Sequence, residues 1–260
     1  MTLRALPRVC EKVERRSPSA LAYQTASRFW TLAVAMARRQ YPRQNSERRC
    51  LALISRATWL RLGTGGPRSL AWANCRFQEG DAANLHQVPE RAFDLVVSIF
   101  GAMFAPKPFE VAKETVRVTR PGGRIIMGNW IPNDPTLVAQ ILKISSAYTP
   151  PPPEGFVSPM TWGIESNVIE RFAGAGVPAE KISFARDTFT FNYPSPPAAL
   201  LDEFRKYYGP TMNAFEAAEK NGRAADLQKE LEELFNRQNQ SPRKDATSIP
   251  ATFLRVTVAL

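Results

Sequence analysis

Few residues in this chain combine reactive chemistry with a suggestive spacing. The single histidine, His86, sits in a polar loop, where a solvated role outweighs that of a general base. The three cysteines, Cys10, Cys50 and Cys75, stand forty and twenty-five residues apart, with no Cys-x-x-Cys pair and no histidine beside them. Neither a zinc site nor a disulfide framework is expected from that pattern. Asp81, in Glu79-Gly80-Asp81-Ala82, is a carboxylate just past a strand end, able to cap a turn or to accept from a ligand. Ser98, Phe100, Gly101, Met103 and Phe104 follow a short apolar run, where parallel sheets leave room for ligands. They are the expected pocket wall, with core packing of Phe100 and Met103 as the alternative.

The elements that position these residues can be read from Glu79 to Trp130. Leu95 to Ile99 is short, rich in β-branched residues and bounded by turn formers, so it reads as a strand buried on both faces. Asp94, at its entry, is expected to bond neighbouring backbone. Residues 108 to 119 place Phe109, Ala112, Val116 and Thr119 at steps of three and four, which predicts a helix buried along that face. Pro121 stops it, Gly122-Gly123 turns the chain, and Arg124 to Trp130 is a second apolar strand. Strand, helix and strand in that order make a right-handed crossover of a parallel sheet. Further on, helices are expected from Asn133-Asp134-Pro135, over 166–173, 196–208 and 214–236. A strand bulged near Arg186-Asp187 spans 182–193, and a last strand covers 251–260.

Gly80-Asp81-Ala82, Phe93-Asp94-Leu95-Val96-Val97-Ser98 and Arg120-Pro121-Gly122-Gly123-Arg124-Ile125 together resemble class I S-adenosylmethionine-dependent methyltransferases of the UbiE-like, methyltransferase type 11 kind. The resemblance continues through Pro150 to Pro153 and Thr161-Trp162-Gly163 to the C-terminus, covering about residues 78–260. It implies an α/β, Rossmann-like sheet, mostly parallel with its last strand antiparallel, and incomplete at its N-terminal strands. It also implies S-adenosyl-L-methionine as cofactor and a small-molecule methyl acceptor. Asp81 and Ala82 would hold the adenine, Ser98, Phe100 and Gly101 would wall the cofactor, and Met103, Phe104 and Trp130 would shape the substrate pocket. The implied chemistry is in-line attack on an already activated methyl group, where positioning supplies much of the catalysis and no fixed catalytic residue is needed.

The front of the chain departs from that pattern. Gly63-Thr64-Gly65-Gly66 is the only glycine-rich turn before Gly80, Pro67 and Arg68 follow it, and no acid occurs between Glu47 and Glu79. A ribose-holding acid is therefore missing, and binding of the cofactor is expected to be weak or lost. The charge is uneven too: residues 1–77 carry a net +12 and the remainder −2. Only Lys12 among the fifteen bases of the front is not arginine, and Trp30, Trp59 and Trp72 cluster there with the cysteines. Such an abrupt change of habit fits a frameshifted, wrongly started or recombined front. Residues 1–77 are expected to be a basic segment distinct from the 78–260 domain. A helix is expected from Ser17 to about Gln40, and Leu51 to Leu62 could be strand or helix. Two rival readings follow: a non-catalytic remnant of the fold, or a basic nucleic-acid binder with salt-sensitive affinity and no recognition motif. With no long apolar run and no secretion signal, the cytosol is the expected compartment and no membrane span is expected.

Overall fold

The computed structural model describes residues 75–260 and the backbone of two earlier strands, 33–38 and 49–54. In chain order the strands are β1 (Ala33–Arg38), β2 (Arg49–Ile54), β3 (Cys75–Glu79) and β4 (Phe93–Ile99). Helix α1 (Pro108–Val118) leads directly into β5 (Thr119–Trp130). Then come α2 (Leu137–Ser146), α3 (Glu165–Ala173), β6 (Ile182–Tyr193), α4 (Pro197–Tyr207), α5 (Gly209–Lys220), α6 (Ala224–Gln238) and β7 (Thr247–Ala259). The strands form one mixed sheet in the order β3-β2-β1-β4-β5-β7-β6. The fold class is α/β, as expected, but the sheet is mixed rather than mostly parallel, and strands do stand in its N-terminal positions.

The centre follows the sequence closely. β4 buries Phe93 and every residue from Leu95 to Ser98, and it pairs parallel with β5 from Leu95↔Arg124 to Ile99↔Gly128. The register slips between Phe93 and Leu95, and the extra residues of β5 include Gly122 and Gly123. Gly122 has φ +75°, and a Cβ on Gly123 would lie 2.8 Å from the Arg120 carbonyl oxygen and 2.9 Å from that of Asp94. Only glycine fits there. Asp94, expected to bond neighbouring backbone, forms an ion pair with the Arg120 side chain across the same turn. The buried face of α1 is offset from the expected one. Pro108, Val111, Ala112, Thr115 and Val118 are buried, whereas Phe109 is 42% exposed beside Gly174. Thr115 can face inward because its hydroxyl donates to the Val111 and Ala112 carbonyls.

The first strands differ more. β1 is antiparallel to both neighbours, pairing Val34↔Ser98 and Ala37↔Leu95 on one side and Ala33↔Ile54 on the other. The helix expected to reach Gln40 is replaced by strand over 33–38; its earlier part lies outside the described residues. Two partner strands bond both edges of this segment, and that outweighs the helical propensity of Ala and Met. The ten residues between β1 and β2 are also too few for a parallel crossover, which needs a dozen or more. The open choice at Leu51 resolves to strand, and β2 pairs parallel with β3. At the other side, Gly122 N–H donates to the Leu260 carbonyl at 2.8 Å and Leu260 N–H to that of Gly123 at 3.1 Å. The start of β5 thus meets the end of β7, and the last strand runs antiparallel.

The chain divides into two units. One comprises residues 1–129, 157–186 and 254–260, the other 130–156 and 187–253. The second unit holds α2, α4, α5 and α6 around an aromatic cluster in which Phe204 meets Phe191, Tyr208 and Phe235 edge-on at 5.5, 5.6 and 5.4 Å. The helix expected over 214–236 is two helices, because Gly222 takes φ +67° between α5 and α6. β6 covers the range expected for it, 182–193.

Candidate functional site

Two parallel strands, β4 and β5, end together, and the chain turns sharply after β4. Phe100 takes φ +54°, a conformation that costs a non-glycine residue about 1 kcal/mol or more, while its N–H donates to the Gly128 carbonyl at 2.9 Å. Ser98 Oγ then accepts from Ala102 N–H at 2.9 Å, and a short 3-10 turn, Ala102–Phe104, follows. Of the expected wall, Ser98, Gly101 and Met103 are buried, and Phe100 and Phe104 are half-buried. Ser98 fastens the turn. Met103, at 1% exposure, takes the core-packing alternative, and the Phe100 and Phe104 rings keep exposed area at the strand ends.

Asp81 is exposed one residue past β3 and Gly80, with Ala82 buried beneath it. Its Oδ1 accepts from Ala83 N–H at 2.9 Å and its carbonyl from Asn84 N–H at 2.9 Å, so it builds its own turn. The second carboxylate oxygen remains on an exposed side chain. This whole loop is held by two residues that the sequence reading missed. Glu114 Oε2 accepts from Leu85 N–H at 2.5 Å. Arg117 donates to the carbonyls of Val88 (2.9 Å) and Leu85 (2.7 Å) and to both oxygens of Glu114 (2.7 and 2.8 Å). The hydrogen bond from Arg117 holds the Glu114 carboxyl below its ordinary value, against burial, and Glu114 in turn raises Arg117. Their spacing of three along α1 was the available signal. His86 is exposed, its Nδ1 2.9 Å from Asn84 Oδ1. Trp130 falls in the second unit, fully buried and edge-on to Phe253 at 6.4 Å.

A cleft of about 460 Å³ opens at the starts of β4 and β5, lined in part by Glu90, Arg91, Arg117 and Lys181. It includes none of the expected site residues. Ligands of open α/β sheets sit at the carboxyl ends of strands, so the Phe100 turn rather than this cleft is the candidate site. Among the described residues no cluster of His, Cys, Asp and Glu could hold a metal ion. No helix among them is long and apolar enough to cross a membrane. Asp81 fits a cofactor with a base to bind, whereas the segment from Ser55 to Asn74, between β2 and β3, contains no acid to hold a ribose. The Gly63 to Gly66 turn lies in that segment, outside the described residues.

Residues 57–127 match the family model described as a methyltransferase domain, as the motifs at Gly80 to Ile125 imply. The match begins at residue 57, ahead of the resembling stretch, and takes in Gly63 to Gly66. An uncharacterized protein of Mycobacterium tuberculosis, Rv1403c, is 33% identical over 155 residues, covering 58% of this chain and 55% of its own. A second from the same species, Rv1405c, is 32% identical over 160 residues, covering 61% and 56%. The chain spans about half the length of the curated relatives it matches. Among solved structures, the YcgJ protein of Bacillus subtilis is 15% identical, with a TM-score of 0.43 over 82% of this chain and 83% of that one. A putative methyltransferase of Bacillus halodurans is 12% identical, with a TM-score of 0.41 over 74% of each.

Proposed function

We propose that this chain transfers a methyl group from S-adenosylmethionine to a small molecule in the cytoplasm, with weak affinity for the cofactor. The single observation that carries the reading is the methyltransferase-domain match over 57–127, which takes in the Asp81 loop, β4 and α1. In this reading residues 78–260 are the methyltransferase-like domain and 1–77 a basic segment joined to it. The second carboxylate oxygen of Asp81 would accept from the adenine amine, and the Ala82 backbone N–H would donate to the ring. Phe100 and Gly101 would wall the cofactor, Ser98 holds their turn, and Phe104 would shape the acceptor side. The cofactor supplies an activated methyl group; the protein's part is to orient the acceptor and exclude water. Calorimetric titration with S-adenosylmethionine and its demethylated product tests the proposal. Saturable binding of both is expected, and absence of binding at millimolar ligand would end it.

A second reading, a non-catalytic remnant, is favoured by the direction of β1. Because Ala37 pairs with Leu95 and Val34 with Ser98, β1 ends beside the start of β4, away from the Phe100 turn. The strand beside β4 thus ends at the wrong edge to carry a glycine turn to the cofactor, and the chain's own glycines, Gly63 to Gly66, follow β2 instead.

A further inference from the structure

Arg171, on α3, is 4% exposed, and its charge has little to answer it. Its Nη2 donates to Thr161 Oγ1 at 2.6 Å, and its guanidinium lies over the Trp162 ring at 4.5 Å from the centroid. Nη1 is buried with no acceptor, and so is Nε1 of Trp162, which is itself 1% exposed. Burial pulls the Arg171 pKa down, and the only acid that opposes this is Glu170, an exposed neighbour in sequence. A buried guanidinium usually has a carboxylate, because a hydroxyl and a ring face offset only part of its lost hydration. Two stacked side chains thus hold one positive charge and two buried donors with no acceptor among the described residues.

The surroundings are built to hold this arrangement. Thr161 Oγ1 also donates to the Ser158 carbonyl at 2.7 Å, the Thr161 carbonyl accepts from Asn167 Nδ2 at 3.3 Å, and Trp162 stands edge-on to Phe172 at 6.3 Å. Thr161 and Trp162 belong to a 3-10 turn, Pro159–Gly163, that packs against the Ala102–Phe104 turn after β4, within the same unit. Val157 and Ile164, on either side of the turn in sequence, are 41% and 38% exposed, an apolar margin for the body of a ligand. A 3-10 turn has weaker hydrogen-bond geometry than an α-helix, so it is the element that can shift to admit one.

We propose that Arg171 and Trp162 form a recognition site for the carboxylate of a small, partly apolar acid. The two oxygens of a carboxylate match the two donors, and its single charge matches the single cation. The site rests on the methyl-transfer reading only in that such an acid would be the methyl acceptor. The test is therefore run without cofactor, so that failure of carboxylate binding and failure of cofactor binding are read separately. Benzoate is titrated into the full chain while the indole N–H resonance of Trp162 is followed, assigned through Trp162→Phe. Benzamide, the neutral isostere, and inorganic phosphate are run beside it. A saturable shift with benzoate, absent with benzamide and phosphate, is expected. By calorimetry, Arg171→Lys should weaken benzoate about tenfold, and Arg171→Gln should abolish its binding. No saturable shift in the unaltered chain, an equal response to benzamide or phosphate, or full benzoate affinity in folded Arg171→Gln protein would each overturn the proposal.

Discussion

Arg117 divides its guanidinium between Glu114 on its own helix and the loop that carries Asp81. Two backbone carbonyls and a carboxylate accept from it, and neither partner is far from solvent: Arg117 is 26% exposed and Glu114 17%. Hydrogen bonds to a charged group contribute more than neutral ones, so Arg117→Ala should cost roughly 2 to 3 kcal/mol in urea unfolding. An effect below about 0.5 kcal/mol, the usual range for a surface change, would show the clamp to be ornamental. The pH dependence has a definite sign. The folded Glu114 carboxyl is lowered from its ordinary 4.5, so its stabilising contribution is complete above that value and lost as pH falls through the folded one. Glu114→Gln should remove that part of the acid sensitivity, measured as the difference in unfolding free energy between neutral and acid pH. The turn into β5 gives a second contrast. Gly123→Ala meets two backbone oxygens under 3.0 Å, whereas Gly122→Ala meets nothing within 4 Å and suffers only its positive φ. Gly123→Ala should therefore lower the melting temperature more, at about 1 to 3 kcal/mol against about 1 for Gly122→Ala. The reverse order would contradict the bulge as described.

At the scale of elements, what could be read in the sequence and what could not separate cleanly. β4, α1 and β5 were legible because Val96, Val97, Ile125 and Ile126 form unbroken apolar runs, and Pro121-Gly122-Gly123 marks the turn between helix and strand. The face of α1 was misjudged because Thr115 hides its hydroxyl in its own helix, and Phe109 stays outside beside Gly174. β1 was illegible for a different reason. Its sequence, Ala-Val-Ala-Met-Ala-Arg, suits a helix, and only pairing with both neighbours makes it a strand. At the candidate site, the Phe100 turn was legible from its place after β4, while the Glu114–Arg117 clamp depends on a loop twenty-nine residues away and left only its spacing in the sequence. The direction of β1 can be tested by oxidative cross-linking, with Cys10, Cys50 and Cys75 replaced by serine. Cysteines at Ala37 and Leu95 should join and cysteines at Ala37 and Ser98 should not, since the register pairs Ala37 with Leu95. Efficient joining of the second pair alone would make β1 parallel and remove the main support for the remnant reading.

For the whole molecule, the question is whether a well-formed β4–α1–β5 centre still binds the cofactor its motifs imply. In the proposed reading Asp81 is the one anchor, its Oδ1 occupied by Ala83 N–H while the side chain remains exposed. The acid expected to hold the ribose is absent from the sequence between Glu47 and Glu79. Losing such contacts plausibly removes several kcal/mol, and each 1.4 kcal/mol is tenfold in affinity. Affinity should thus be at least about a hundredfold below that of a relative with that acid in place, yet what remains should run through Asp81. The most direct measurement is equilibrium dialysis of labelled S-adenosylmethionine against the full chain and its Asp81→Ala variant, with unfolding curves to show that both fold alike. The account predicts weak, saturable binding that falls about tenfold or more in the variant. Tight binding by the unaltered chain, or equal binding by the two proteins, would contradict it.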